Sequence, residues 1–387
     1  MKLLRTAPAL ARPAPSKPPL PVPKPPAATA TGFVKPPKPG LVLSPFKPKV
    51  TQADAVASAR ALLSGAPRKD EQSGHIIISD PADANDVSDE FGDRAAAANA
   101  QLARNGELET EALARLSTTE RSQYLRVQRQ LSADPVAKLA LQTLLFEGKL
   151  PGGALLKNLS KLTTQSLGEG VDRARLIADV VQEVATPTCI NQQDKNTCVA
   201  TAATIQLVLQ NPAEYVRLIS GLASPEATVT TLGGDVLKVE GTPDSASRRT
   251  LSAQLLTPAL MELGNGIFNY DEASDTTQYG PFGAPGLLAF GADLVAASIT
   301  GKDYTWAPAV APLKGVTMDA IVAQLEKGNT VLAGIDYQGL GGHELLVTGL
   351  ETHDGCEYVR VINPWGREEL IPRDEFQEDL MAMAHES

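Results

Sequence analysis

The sequence predicts an α+β fold in which helices come first and a β-sheet comes last. Apolar residues recur at helical three- and four-residue spacing through much of residues 93–186. Residues 330–363 instead hold short apolar stretches typical of strands, and Asp354-Gly355 between two of them is a hairpin signal. These patterns predict a helical part followed by an antiparallel β part.

Composition is typical of a globular protein that carries some non-globular length. Of 387 residues, 43% are hydrophobic and 21% are charged, and no apolar run is long enough to cross a membrane. The N-terminal apolar stretch is short and broken by Arg5, so a Sec signal peptide is not expected. Three cysteines are too few, and odd in number, for a disulfide framework. We therefore expect a cytoplasmic protein, or one secreted by a route without a Sec signal peptide.

Residues 1–50 form a basic, proline-rich arm that we expect to be disordered. They hold 14 of the 29 prolines and nine Lys or Arg, but no acidic residue. Proline lacks a backbone donor, so such a segment acts as a spacer without a core. The stretch Pro18–Pro21 also fits a PxxP ligand, so a docking partner for the arm is a second interpretation. All 45 acidic residues follow the arm, which argues against a nucleic-acid partner for the folded part.

Residues 51–186 are predicted to form a mostly helical module with one short strand at Ile76–Ile78. Ser117, followed three residues later by Glu120, is a capping box, and Asp134 before a proline is an N-cap. The module is either an inhibitory propeptide that covers the following part of the chain or a permanent scaffold. The lack of a linker before residue 187 favours the scaffold.

Residues 187–387 begin with a polar loop and continue with helices and strands. The loop CINQQDKNTC leads into CVATAATIQLVLQ, whose small and apolar residues predict a helix buried on most sides. One hairpin, three further helices and three strands are predicted from the stretches ATVTTLGGDVLKVEG, LSAQLLTPALMELGNG, GPFGAPGLLAFGADL, TMDAIVAQLEKGN, TVLAGIDY, HELLVTGLE and EYVRVIN.

The last hairpin is expected to bring two polar residues together. When the chain folds back at Asp354-Gly355, His343 at the start of one strand lies close to Asn363 at the end of the next. A side-chain carbonyl beside an imidazole holds one ring N–H and fixes the tautomer. Trp365 would then lie over this hydrogen bond and keep water from competing for it.

An oriented histidine implies a nucleophile, and Cys198 is the strongest candidate. It opens the apolar helix, where the helix dipole, free amides and a nearby imidazolium are expected to lower the thiol pKa. Gln192 precedes it by six residues, and its amide, with the Cys198 backbone N–H, would donate to an oxyanion. Gln193 is the less suitable of the two neighbouring glutamines.

The remaining histidines and cysteines carry no predicted chemistry. His75 and His385 lie in a polar loop and at the tail without an identified partner, and Cys189 and Cys356 are expected to be inert. No pair of these residues has the spacing of metal ligands, so neither a metal nor a cofactor is predicted.

The stretch NQQDKNTCVA resembles the active-site loop of the papain-like cysteine proteases, with Asn-Gln, five more residues and the Cys that opens the central helix. The histidine strand and the NPWG strand follow in the family's order, 145 and then 20 residues further on. GHELLVTGL with VRVINPWG is most similar to the calpain branch. The resemblance covers about residues 187–375. It implies a papain-like peptidase fold over 187–387, with a helical lobe built on the Cys helix and an antiparallel β lobe.

The resemblance also implies roles for the site residues. Cys198 would attack a peptide carbonyl, and His343 would take and return protons. Asn363 would orient His343, Gln192 would help form the oxyanion hole, and Trp365 would support the site.

Two positions depart from the family pattern. Val199 stands where a tryptophan is usual, and Glu344 stands where a small residue is usual. Strand alternation turns Glu344 away from His343, but a carboxylate near the cleft would favour basic substrate residues. No run of paired acidic residues resembles a calcium loop, so calcium control is not expected.

The sequence therefore predicts a cysteine endopeptidase that acts on a protein or peptide substrate. The same acyl-thioenzyme can pass to an amine instead of water, so a transglutaminase or deamidase is a second hypothesis. A non-catalytic interaction protein, whose partner binds the arm or the helical module, is the third. The oligomeric state stays open.

Overall fold

Helices and strands occupy different parts of the chain in this computed structural model. The structure describes residues 50–65, 67–81, 88–279, 282–287, 291–339 and 341–387. Its mixture of helix and strand confirms the predicted α+β class. The predicted disordered arm at 1–50, with its PxxP stretch, lies outside the described residues except for Val50. No helix of the described part combines the length and the apolar character needed to cross a membrane.

Thirteen α-helices lie in the described ranges. They are α1 (Gln52–Ser64), α2 (Ser88–Arg104), α3 (Gly106–Ala114), α4 (Thr118–Gln130), α5 (Pro135–Phe146), α6 (Ala154–Leu162), α7 (Arg173–Ala185), α8 (Cys198–Gln210), α9 (Pro212–Leu222), α10 (Leu251–Asn265), α11 (Gly291–Thr300), α12 (Lys314–Glu326) and α13 (Arg373–Asp379). The predicted capping box of Ser117 and Glu120 starts α4, and the Asp134 side chain caps α5. The helix α8 is buried along most of its length, as its small and apolar residues predict.

The same ranges hold thirteen strands. They are β1 (Arg68–Lys69), β2 (Ile76–Ser79), β3 (Thr228–Thr230), β4 (Val236–Lys238), β5 (Asn269–Asp271), β6 (Thr276–Tyr279), β7 (Phe282–Ala284), β8 (Tyr304–Pro308), β9 (Val331–Asp336), β10 (Gly342–His353), β11 (Cys356–Asn363), β12 (Arg367–Pro372) and β13 (Leu380–Glu386). The largest sheet is antiparallel, with the strand order β1-β2-β12-β11-β10-β9-β13-β8. Two smaller sheets have the orders β3-β4 and β5-β6-β7.

The hairpin of β10 and β11 turns where the sequence predicts. Asp354 has φ 51° and Gly355 has φ 80°, the left-handed values that a two-residue hairpin turn requires. Leu346 pairs with Ile362 near the other end of the hairpin. The start of β10 and the end of β11 therefore lie side by side.

Two apolar clusters cover opposite faces of the large sheet. Leu332 and Leu346 pack in the cluster that contains buried residues of α1 through α11. Ala333 and Leu345, their neighbours along the same strands, belong to the second cluster with residues of α12 and α13. The sheet thus lies between a thick helical layer and a thin one.

The module predicted at 51–186 shares its core with the later part of the chain. The larger apolar cluster runs from Ala59 to Ala384. Strand β2 pairs with β12, and Ile77 lies opposite Glu369. By packing, Val50–Ser387 forms one compact unit. Residues that precede 187 therefore contribute both to the helical layer and to the sheet that carries the predicted site strands.

Several elements have no counterpart in the sequence prediction: α9, α13, β1, β5 to β8, β12 and β13. Strand β12 has the sequence REELIP, whose charged residues interrupt the apolar alternation that marks a strand. Strand β13, LMAMAHE, lacks the β-branched residues that favour strands. Pairing with β11 and β9 determines their conformation, and that pairing is a long-range property.

Truncation of Ile77 is expected to destabilise the whole unit. This side chain is 1% exposed in β2, so Ile77→Ala should lower the free energy of unfolding by about 2–5 kcal/mol. Ile78→Ala, at the partly buried next position, is the matched control and should have a smaller effect. Chemical denaturation followed by circular dichroism measures both, with a single transition expected. Equal effects of the two variants would contradict the packing of β2 into the sheet.

Candidate active site

Cys198 is the first residue of α8 and lines a cleft. The residue is partly exposed, but its sulfur is shielded enough that burial raises the pKa of the thiol to about 11. Backbone N–H groups of Glu344, Val199 and Cys198 itself oppose this rise, whereas the Glu344 carboxylate adds to it. The prediction of a lowered thiol pKa is therefore wrong, because desolvation of a thiolate outweighs the amides at the helix N-terminus.

His343 and Asn363 meet where β10 begins and β11 ends. The His343 Nε2 atom lies 2.9 Å from Asn363 Oδ1, and the same oxygen accepts a 3.0 Å hydrogen bond from the Trp365 backbone N–H. Asn363 is fully buried and His343 is 7% exposed, so little water reaches this contact. Burial lowers the pKa of His343, and the hydrogen bond to Asn363 offsets only part of that change.

Glu369 on β12 determines which way the Asn363 amide faces. Its Oε1 atom accepts a 2.6 Å hydrogen bond from Asn363 Nδ2, and an ionised carboxylate can only accept. The amide nitrogen therefore points at Glu369, and the amide oxygen points at His343. The Nε2 atom of His343 must then carry a proton, which leaves the lone pair of the neutral ring on Nδ1.

Two aromatic rings enclose the imidazole of His343. Trp365 stacks on it with ring centroids 4.3 Å apart and an interplanar angle of 23°, so it covers one face of the ring. Tyr337 meets His343 edge-on at 5.4 Å and Trp365 at 5.2 Å. The Tyr337 hydroxyl also donates to Glu369 at 3.0 Å. Tyr337, which no sequence pattern indicated, therefore contacts both the aromatic rings and the buried carboxylate.

His75 is a further residue that the sequence analysis missed. It precedes β2 in a loop, as predicted, but its side chain is 1% exposed and has partners that the sequence did not identify. Its Nδ1 atom lies 3.1 Å from Glu369 Oε2, and its Nε2 atom lies 2.9 Å from Glu375 Oε1. His75 and Glu369 are 294 residues apart in the chain, and no local pattern carries information about that contact.

His75 and Glu369 each stabilise the charged form of the other. Burial alone would lower the pKa of His75, but hydrogen bonds to Glu369 and Glu375 outweigh burial and raise it. Burial alone would raise the pKa of Glu369, but hydrogen bonds from His75 and Asn363 and the charge of Arg367 lower it. Glu369 therefore stays an ionised acceptor behind the amide.

The loop that precedes α8 is tied to the turn that follows β11. The Gln192 N–H donates to the Pro364 carbonyl at 2.8 Å, and Asn191 Nδ2 donates to the Trp365 carbonyl at 2.9 Å. Gly366 permits this approach, because its φ is 83° and a Cβ there would lie 2.7 Å from Asn191 Nδ2. These two hydrogen bonds therefore fix the position of the loop relative to the turn.

Gln192 keeps one amide hydrogen available. Its Nε2 atom donates to the Lys195 carbonyl at 2.7 Å, and a primary amide has a second N–H. The residue is 6% exposed and lines the cleft. Its neighbour Gln193 has a left-handed φ of 57°, which turns the loop back toward α8.

Four of the five predicted site residues line a cleft of about 350 Å³. Gln192, Cys198, His343 and Trp365 line it, whereas Asn363 lies behind them in the interior. In the part of the chain that the structure describes, no group of three or more His, Cys, Asp or Glu side chains is placed to hold a metal ion. A thiol, an oriented base and amide donors around one opening are the groups needed for nucleophilic attack on a carbonyl.

The pKa values of the two buried histidines are expected to be shifted in opposite directions from that of an ordinary histidine. His75 should stay protonated to a higher pH than an ordinary histidine, and His343 should lose its proton at a lower pH. NMR titration of the histidine Cε1 signals, assigned with His75→Gln and His343→Gln, measures both. Because the pKa of His75 is raised on folding, its stabilising effect should be lost as the pH rises through that value. If both histidines had the pKa of an exposed histidine, the result would contradict the environments described.

Comparison with known proteins assigns the chain to no family. No protein-family model matches it, and no curated protein matches its sequence. The chemistry of the cleft is therefore inferred from the contacts of its own residues.

Proposed function

We propose that the chain is a cysteine peptidase with a papain-like arrangement, which hydrolyses peptide bonds of a protein or peptide through Cys198. The observation that carries this proposal is the hydrogen bond from Asn363 Nδ2 to Glu369 Oε1, because it leaves His343 Nδ1 free to accept a proton. The His343 ring lines the same cleft as Cys198. The calpain-like order of these residues along the chain supports the same function.

The first step forms a thioester. His343 Nδ1 takes the thiol proton as the Cys198 sulfur attacks the carbonyl carbon, and the carbonyl electron pair moves onto oxygen. The Cys198 backbone N–H and the second N–H of Gln192 donate to this oxyanion. When the tetrahedral intermediate collapses, the C–N bond breaks, and His343 gives its proton to the leaving amine.

Water completes the turnover. His343 removes a proton from a water molecule as the water oxygen attacks the thioester carbon. The C–S bond breaks when this second intermediate collapses, and the sulfur recovers the proton from His343. One peptide bond and one water molecule thus become an amine and a carboxylic acid.

The resting pair of Cys198 and His343 is neutral in this mechanism. Burial raises the pKa of the thiol to about 11 and lowers that of the imidazole, so the proton stays on sulfur near neutral pH. Proton transfer must accompany attack, and its rate depends on where the Nδ1 lone pair points. The orientation of the ring therefore matters more here than a preformed thiolate.

The helical module at 51–186 acts as a permanent scaffold in this proposal. Its residue His75 supplies a cation to Glu369, and its strand β2 pairs with β12 beside that contact. Removal of the module as a propeptide would leave the Glu369 carboxylate without its charged partner. That loss would disturb the site instead of activating it.

A peptidyl epoxide is expected to modify Cys198 through the base His343. In a Cys356→Ser background, which removes an exposed cysteine, intact mass spectrometry should show one adduct. His343→Ala should slow the modification at neutral pH by about 10²-fold or more. The wild-type rate should level off well below the thiol pKa of about 11, because His343 takes the proton.

The matched control is Cys198→Ala, which should give no adduct. An equal adduct on this control would contradict the proposal. A wild-type rate that rises only as the pH approaches the thiol pKa of about 11 would contradict it as well. With a peptide substrate, transfer of the acyl group to an added amine in preference to water would replace the peptidase by a transferase.

A further inference from the structure

Glu344 has a buried carboxyl group without a partner. The residue is 9% exposed, and within the described ranges no hydrogen bond or ion pair reaches its carboxyl. Burial raises the pKa of Glu344 to about 8, and no neighbouring group lowers it. A buried carboxyl group is costly unless something compensates for the lost water, so this group is poised for an external partner.

The Glu344 side chain lies beside two small residues on the neighbouring strands β9 and β13. Glu344 of β10 pairs with Gly334 of β9, which pairs with Ala382 of β13. A Cβ at position 334 would be only 3.2 Å from Glu344 Oε2 and 3.9 Å from the Ala382 Cβ. Glycine at 334 therefore makes the room in which the carboxyl group lies.

These three residues belong to the same cleft as the nucleophile. Glu344, Gly334 and Ala382 line the cleft together with Cys198 and His343. Apolar side chains supply much of the remaining wall, namely Val199, Leu287 and Met381. Met381 is 49% exposed there, so apolar surface is available beside the carboxyl group.

We propose that Glu344 forms the floor of a subsite for a lysine or arginine side chain of the substrate, beside the scissile bond. The inference rests on the proposed peptidase function and adds the class of substrate to it. A long aliphatic stem would pack on the apolar wall, and the cationic end would pair with the carboxylate. The net charge of −10 also favours the approach of cationic segments.

The affinity for a cation should rise with pH. Titratable groups that line the cleft around Glu344 are Cys198 on α8, His343 on β10 and Tyr337. The residues that line it from β9 and β13 are Gly334, Met381 and Ala382, which carry no charge. Since Glu344 ionises at about pH 8 when the cleft is empty, binding of a cation should strengthen as the pH passes that value. A neutral ligand of the same shape should show no such change.

One experiment measures this preference on the reactive thiol. Two peptidyl epoxides, identical except for arginine in one and its neutral isostere citrulline in the other, are compared by their rates of Cys198 modification. The position of that residue is varied along the probe. At the best position the arginine probe should react about 10- to 100-fold faster with the wild type. Glu344→Gln should bring the ratio close to one, because only the charge is lost.

A second experiment does not depend on the thiol. In Cys198→Ala, the methyl signal of Met381, labelled with ¹³C and assigned with Met381→Leu, is followed during titration with acetyl-arginine amide or acetyl-citrulline amide. The arginine compound should saturate at the lower concentration, and Glu344→Gln should abolish the difference. Glu344→Leu is a second variant, and both should fold at least as stably as the wild type, since they remove a buried carboxyl group.

The outcomes separate the two proposals. A preference for arginine in the Met381 titration, with no modification of Cys198 by any probe, would preserve the subsite and overturn the peptidase. Equal response to the two amides in the titration would overturn the subsite, whatever the thiol does. If Glu344→Gln still preferred the arginine compound, another group would bind the cation, and the role of Glu344 would be overturned.

Discussion

The buried carboxylate of Glu369 is the interaction on which the rest of the site depends. It accepts hydrogen bonds from Asn363, Tyr337 and His75, and it is fully buried. A charge in such a place is tolerated only when its acceptor sites are filled, and these three donors fill them. The negative charge then sets the direction of the Asn363 amide, and the amide sets the tautomer of His343, which leaves the lone pair of the neutral ring on Nδ1. The orientation of the His343 ring is thus fixed by Asn363 and Glu369, which are both fully buried.

Two consecutive residues at the start of β10 have different surroundings. His343 packs with Trp365 and Tyr337, whereas Glu344 lies on the face that carries Gly334 and Ala382. This follows from the two-residue period of a strand, which sends neighbouring side chains to opposite faces. Both residues still line the cleft, because they lie at the start of the strand. The roles proposed for the two residues, proton transfer and substrate choice, can therefore be tested by separate substitutions.

Local patterns predicted the parts of the site that local geometry determines. The two-residue turn at Asp354-Gly355 brings His343 and Asn363 to the same end of the hairpin, as predicted. A register shift between Val347 and Gly349, which no local pattern indicated, then places both side chains on one face. The position of Cys198 at a helix start likewise followed from the polar loop that precedes an apolar stretch. The contact of His75 with Glu369 depends on the pairing of two strands far apart in the chain, which composition does not encode. The raised thiol pKa depends on how completely the fold shields the sulfur, and that too is a property of packing.

The most direct test of the role of Glu369 is a double-mutant cycle with Asn363→Ala and Glu369→Gln. The quantity measured is the rate constant for modification of Cys198 by a neutral peptidyl epoxide, with circular dichroism to check that each variant is folded. If Glu369 acts by orienting Asn363, each single variant should be about 10- to 100-fold slower, and the double variant should be no slower than the slower single variant. Single effects that multiply in the double variant would mean that the two residues act independently, which would contradict this role.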